Sequence, residues 1–257
     1  MVFNAIFAVE NGIDIAFLWS GARLPAGVTF TDYVHQGAFT LIATALLAGL
    51  FVLVALAPQS TTSRQPWIRR LVVLWVAQNI LLVGSSMLRT LKYIEVFELT
   101  SLRIAALIWM ALVAVGLALI CWRMLRARSG AWLINANVAA AAVVLIACCP
   151  FDFNAIAAEW NVDHARELGG GGQPLDTCYL NQMGEPGLVA LAELEQRPLA
   201  PAFRDRVSRI RAQAFRLLSE RQSDWRGWTW RGARRLERTR ALGVQPGVTG
   251  AIACGGD

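Results

Sequence analysis

Before position 150 the chain is divided into apolar blocks of 18 to 21 residues. A helix rises about 1.5 Å per residue, so each block matches a hydrocarbon core roughly 30 Å thick. The whole chain is 56% hydrophobic, against about 45–50% for soluble domains, and the excess sits in these blocks. A backbone in lipid must satisfy its own polar groups, which leaves helices as the form such blocks can take. The expected fold class is therefore all-α: a polytopic transmembrane helical bundle followed by a small helical extramembrane domain. Spans are expected at about 2–19, 38–57, 71–88, 102–122 and 132–149, making 1–150 a transmembrane domain. Residues 151–242 form the helical extramembrane domain and 243–257 a flexible, Gly-rich end.

The first block is interrupted by Asn4, Glu10, Asn11 and Asp14. At 100° per residue these fall within an arc of about 120°. A charged face inside a membrane is costly and points into a bundle or toward water. Glu10, Asn11 and Asp14 are thus a candidate polar membrane site for an ion, a proton or a polar ligand. The alternatives are an interfacial helix, or carboxylates satisfied by partner side chains. The abrupt start also suggests that longer relatives carry preceding spans. Block 38–57 holds Ala45 and Gly49 at a spacing that permits close helix packing. In 71–88, Gln78, Asn79, Ser85 and Ser86 suit hydrogen bonds between helices. Trp67, Trp75, Trp122 and Trp132 stand at or near span ends, as in an aromatic belt. Residues 89–101 alternate apolar and charged groups and read as a short amphipathic helix at the surface.

Leu24 to Gly37 separates the first two blocks and is too polar to cross. Pro25 and Gly27 mark a turn, and Thr29 with Asp32 has capping-box spacing, which launches the next helix. Asp32, Tyr33 and His35 would lie on its first turns near the membrane surface, a candidate surface loop site. The plainer reading is that they cap, anchor and hydrogen-bond to neighbouring helices.

Positive charge belongs to the tail. Thirteen arginines lie between Arg197 and Arg240, against four acids, and Lys92 is the chain's sole lysine. Membrane lipids, and a protein of the cell envelope, are the expected partners; no nucleic-acid motif is present. Phe203, Val207, Ile210, Ala214 and Leu217 recur at helical spacing, with Arg204, Arg206, Arg209, Arg211 and Arg216 on the other faces. A preceding helix is expected to run from Asp152 or Asn154 to about Leu168, and another to follow Asp176 and end at Gly184. His164 has no ligand partner nearby and reads as structural or solvated. Trp225, Arg226, Trp228, Trp230 and Arg231 alternate ring and guanidinium. They are candidate lipid- or partner-binding residues, because Trp suits the interface and Arg pairs with phosphate; alternatively the tryptophans complete the core. Cysteine spacing gives no metal site and no cofactor is implied. Cys178 and Cys254 can pair if the tail is extracytoplasmic.

Arg64, Arg69, Arg70, Arg123, Arg126 and Arg128 flank one set of short loops, against Arg23, Arg89, Lys92 and Arg103 on the other side. The positive-inside rule then puts the first set in the cytoplasm and the tail outside an inner (plasma) membrane. No phosphate loop, nucleophile elbow or zincin motif is present.

The block LPAGVTFTDYVHQG resembles the signature of a bacterial membrane family known as domain of unknown function 4173, through Leu24, Pro25, Gly27, Thr29, Phe30, Tyr33 and Gly37. LTSLRIAALIWMALVAVGL, FDFNAIAAEWNVDHA, LDTCYLNQMGEPGLVAL and DWRGWTWRGAR are similar to further blocks of that family. The resemblance covers roughly residues 1–235, matches the C-terminal part of longer relatives, and implies a bacterial multi-pass membrane protein with no assigned activity. Three functions follow as expectations: a structural or sensory protein with a partner- or lipid-binding tail, an ion-coupled transporter component using Glu10 and Asp14, or an enzyme acting on a lipid-linked substrate.

Overall fold

The computed structural model describes residues 2–20, 66–170 and 173–243, and these form two compact units. The expected span 38–57, the stretch Leu24–Gly37 with Asp32, Tyr33 and His35, and the end beyond Gly243 lie outside the described residues. Among the described residues there are nine α-helices and no strand.

The first unit holds α1 (Val2–Asp14), α2 (Pro66–Phe97) as far as Ile94, α3 (Ser101–Arg126) from Arg103, and α4 (Gly130–Cys148). A π-helical turn, Ile15–Trp19, continues α1. Three of these helices, α2, α3 and α4, are long and apolar enough to cross a membrane. Phe7 of α1 packs edge-on against Trp75 of α2, with ring centroids 6.1 Å apart. Val72, Val76 and Leu82 extend this contact, and Leu117, Ile120, Cys121 and Met124 of α3 lie against it. No residue of α3 or α4 is buried. Their exposed Leu102, Trp109, Ile134, Val143 and Ile146 suit contact with lipid.

The helix ends follow local chemistry. Ala127 has φ 50° just past α3, and Arg128 N–H donates to the Arg123 carbonyl at 3.0 Å, which is a Schellman closure. The Ser129 hydroxyl accepts from Trp132 N–H at 3.2 Å and starts α4.

The expected surface helix over 89–101 is not a separate element. Instead α2 runs on unbroken to Phe97. Nothing between Ser86 and Phe97 breaks a helix, and this stretch has protein rather than open interface on one face: Arg89 and Ile94 are both buried. The chain turns only at Glu98, which takes the left-handed φ of 78°.

The second unit comprises 95–102 and the described residues from Asp152 onward. It contains α5 (Phe153–His164), α6 (Thr177–Met183), α7 (Leu188–Glu195), α8 (Pro201–Ser223) and α9 (Trp230–Ala241). Asp152 caps α5 by accepting from Ala155 N–H at 3.2 Å, and Asp176 caps α6 through the N–H groups of Cys178 and Tyr179. The first helix stops at His164, short of the expected Leu168; a 3-10 turn over Arg166–Leu168 follows, closed by Gly169 at φ 82°.

Ala158, Val162, Leu180, Leu191, Leu194, Val207 and Ile210 form the core of this unit. The seam of α8 departs from expectation at its end. Leu218 is fully buried, with Leu188 and Leu236, whereas Leu217 is exposed. A 3.6-residue period carries the inward face from Ala214 to Leu218, four residues on. Arg211, expected on a solvent face, is also buried, and its Nε donates to Glu195 at 2.6 Å.

Candidate functional site

Two arrangements of polar residues stand out, one in each unit.

The first lies between α1 and α2. Asn4 Nδ2 donates to the Leu71 carbonyl at 3.2 Å, and Gln78 Nε2 donates to the Asn4 carbonyl at 3.1 Å. Asn11 Nδ2 donates to the carbonyls of Phe7 at 2.7 Å and Gln78 at 3.3 Å. Farther along, Trp19 Nε1 donates to Ser85 Oγ at 3.1 Å, and Lys92 Nζ to the Leu18 carbonyl at 3.0 Å. Between these sits an ion pair of Arg89 and Asp14, with Asp14 only 1% exposed. Residue numbers rise together on the two helices, so α1 and α2 run parallel.

The helical period sorts the sequence candidates. Asn11 and Asp14 are buried in this seam, three residues apart, whereas Glu10 is exposed on another face of α1. A lone carboxylate at membrane depth needs a countercharge, and Arg89 supplies it. By sequence position alone Arg89 groups with the loop charges. The signal that could have found it is an arginine at the end of one apolar run, matched by a carboxylate on the polar arc of another.

The second arrangement is on the tail. Trp225, Trp228 and Trp230 are 81%, 55% and 61% exposed, which excludes the reading that they complete the core. The turn before α9 explains this. Thr229 Oγ1 accepts from Gly232 N–H at 3.1 Å to cap α9, and Gln222 holds Thr229 from both its N–H and its hydroxyl. Gly232, Leu236 and Thr239 face inward, leaving Trp230, Arg231, Arg234 and Arg238 outside. The Arg226 guanidinium lies 5.3 Å from the Trp225 ring, and that of Arg234 4.7 Å from Trp230. Arg235 turns the other way. It pairs with Asp152 and lies 3.6 Å from Glu185, and burial pushes its guanidinium below the ordinary arginine range.

A further contact in the second unit had no signal in the sequence. Asn161 clamps the backbone of Leu99: Leu99 N–H donates to Oδ1 at 2.6 Å, and Nδ2 donates to the Leu99 carbonyl at 2.9 Å. Glu98 Oε1 accepts from Asp176 N–H at 2.8 Å. The turn between α2 and α3 is therefore built into the tail unit. His164 stacks on Trp160, ring centroids 4.0 Å apart, and its Nδ1 lies 2.8 Å from the Trp160 carbonyl. Cys178 is disulfide-bonded, whereas Cys121 and Cys148 are free thiols.

Comparison with known families decides the affiliation. The family described as a domain of unknown function, DUF4153, matches residues 1–194. The chain belongs to DUF4153. This is a different family from the one that the Leu24–Gly37 block resembles; the shared expectation, a domain without assigned function, stands. The DUF4153 match takes in the four helices of the first unit and the tail as far as Leu194, near the end of α7. It stops before α8 and the tryptophan–arginine surface. No curated protein and no solved structure matches the chain.

Proposed function

We propose that this DUF4153 chain is a multi-pass inner-membrane protein with a structural or sensory role, whose tail binds the anionic headgroup surface of a bilayer. The single observation that carries this is the exposed set of Trp225, Trp228 and Trp230 interleaved with Arg226, Arg231 and Arg234. Exposing three indoles to water is unfavourable, and a headgroup layer accepts both the rings and the guanidinium groups. The tail is extracytoplasmic in this reading. The positive-inside count supports that side, and so does the disulfide at Cys178, because such bonds persist in oxidising compartments.

The test uses the full chain in vesicles of phosphatidylcholine with or without phosphatidylglycerol. Brominated phosphatidylglycerol should quench tryptophan fluorescence, and the triple variant W225A/W228A/W230A should remove a fixed part of that quenching. Equal quenching of the parent and the variant, in both lipid mixtures, would overturn the reading.

A second reading, an ion-coupled component, is favoured by the buried Asp14–Arg89 pair. A proteoliposome ion flux that disappears in Asp14→Asn supports it. A flux unaffected by that change would remove Asp14 from any coupling role.

A further inference from the structure

The α1–α2 seam contains three amide oxygens that its own hydrogen bonds do not explain. Asn4 Oδ1, Asn11 Oδ1 and Gln78 Oε1 are buried and have no hydrogen-bond partner among the described residues. Amide orientation does not account for this. Each NH2 group already donates to a backbone carbonyl, which can only accept: Leu71 for Asn4, Phe7 and Gln78 for Asn11, Asn4 for Gln78. Flipping any of the three would set oxygen against oxygen. Asn11 is 95% buried by its 5% exposure, so bulk solvent does not reach it.

An acceptor at membrane depth calls for a donor or a cation. Charge separates the two. The oxygens are neutral amides, and the nearby carboxylate of the seam, Asp14, is already neutralised by Arg89. A bare cation here would stay uncompensated in low dielectric, whereas water donates without adding charge. The seam is also long. From Leu71 to Lys92 its contacts span 21 residues of α2, about 32 Å at 1.5 Å per residue. That equals the thickness of a hydrocarbon core.

We infer that Asn4, Asn11 and Gln78 bind a file of ordered water molecules between α1 and α2, leading toward the Asp14–Arg89 pair. This rests on the polar seam that also supports the second reading above, but hydration and ion flux are measured separately. A hydrated seam without flux would leave this inference standing while that reading falls.

Water-edited solid-state NMR on the full chain in lipid bilayers tests it directly. At short mixing times, polarisation from water should reach Cγ of Asn4 and Asn11 and Cδ of Gln78 nearly as fast as it reaches exposed Asn154. Buried Val76 on the same helix should stay dark. If the three amides build up only as slowly as Val76, protein groups satisfy them and the inference fails. A second arm replaces sodium by choline. An unchanged melting temperature is expected; a rise specific to sodium would make the occupant a cation and overturn the assignment to water.

Discussion

At the scale of single residues, the Asp14–Arg89 pair makes the sharpest demand on the chain. Each partner is tolerable at depth only because the other is there. Arg89→Ala should cost about 3–5 kcal/mol, because it removes the guanidinium that pairs with a buried carboxylate. The double variant with Asp14→Leu and Arg89→Met should recover most of that loss. Thermal unfolding in detergent checks both, and a double variant no better than the single would mean the pair is not mutually compensating. Asn161 makes a different kind of demand. Asn161→Leu strands both the N–H and the carbonyl of buried Leu99, and should cost at least about 2 kcal/mol. Unfolding of the full chain, followed by circular dichroism, reads this out. These two sites also mark a limit of legibility. Asp14 was visible as an anomalous charge; that its partner is Arg89, some seventy-five positions away, depends on helix packing that no local pattern encodes. Asn161 sits in an unremarkable stretch of α5, and its role exists only because the Leu99 backbone is brought to it.

At the scale of elements, helix ends were readable wherever a side chain makes them. Asp152 and Asp176 act as caps as their positions suggest, because an Asx side chain competes for the first free N–H groups. The end of α2 was not readable. Its last turns look amphipathic in isolation, yet the helix simply continues, because burial of Arg89 and Ile94 rewards continuation. The end of α3 carries a testable imperfection. Ala127 holds a left-handed conformation that glycine adopts without the steric cost of a Cβ, about 1–2 kcal/mol. Ala127 is exposed, so Ala127→Gly should stabilise the chain by roughly 1 kcal/mol, seen as a higher melting temperature. A lower melting temperature would show that the Schellman closure is not limiting there.

At the scale of the whole molecule, three helices long and apolar enough to cross a membrane carry a parity. The turn at 95–102 belongs to the same unit as the tail, and crossings by both α3 and α4 would return the chain to the side of that turn. With both crossings the turn at 127–129, between α3 and α4, would lie on the other side. Reporter fusions after Arg128 and after Gly243 should therefore give opposite signals, whichever side each faces. Matching signals would remove one of the three crossings.

Hydrophobic periodicity and block length settled that this is a helical membrane chain, and Asx and glycine punctuation settled most of the tail's helix starts and stops. Those properties are local: propensity, capping and transfer into lipid act over a few turns of one segment. Tertiary structure decided the rest. It chose Asn11 and Asp14 over Glu10 for the seam, and it drew the 95–102 turn into the tail. It also buried Leu218 and Arg211 while leaving Trp225, Trp228 and Trp230 outside. Each of those outcomes depends on which face of a helix meets a partner, and that is set by contacts between residues far apart in the chain.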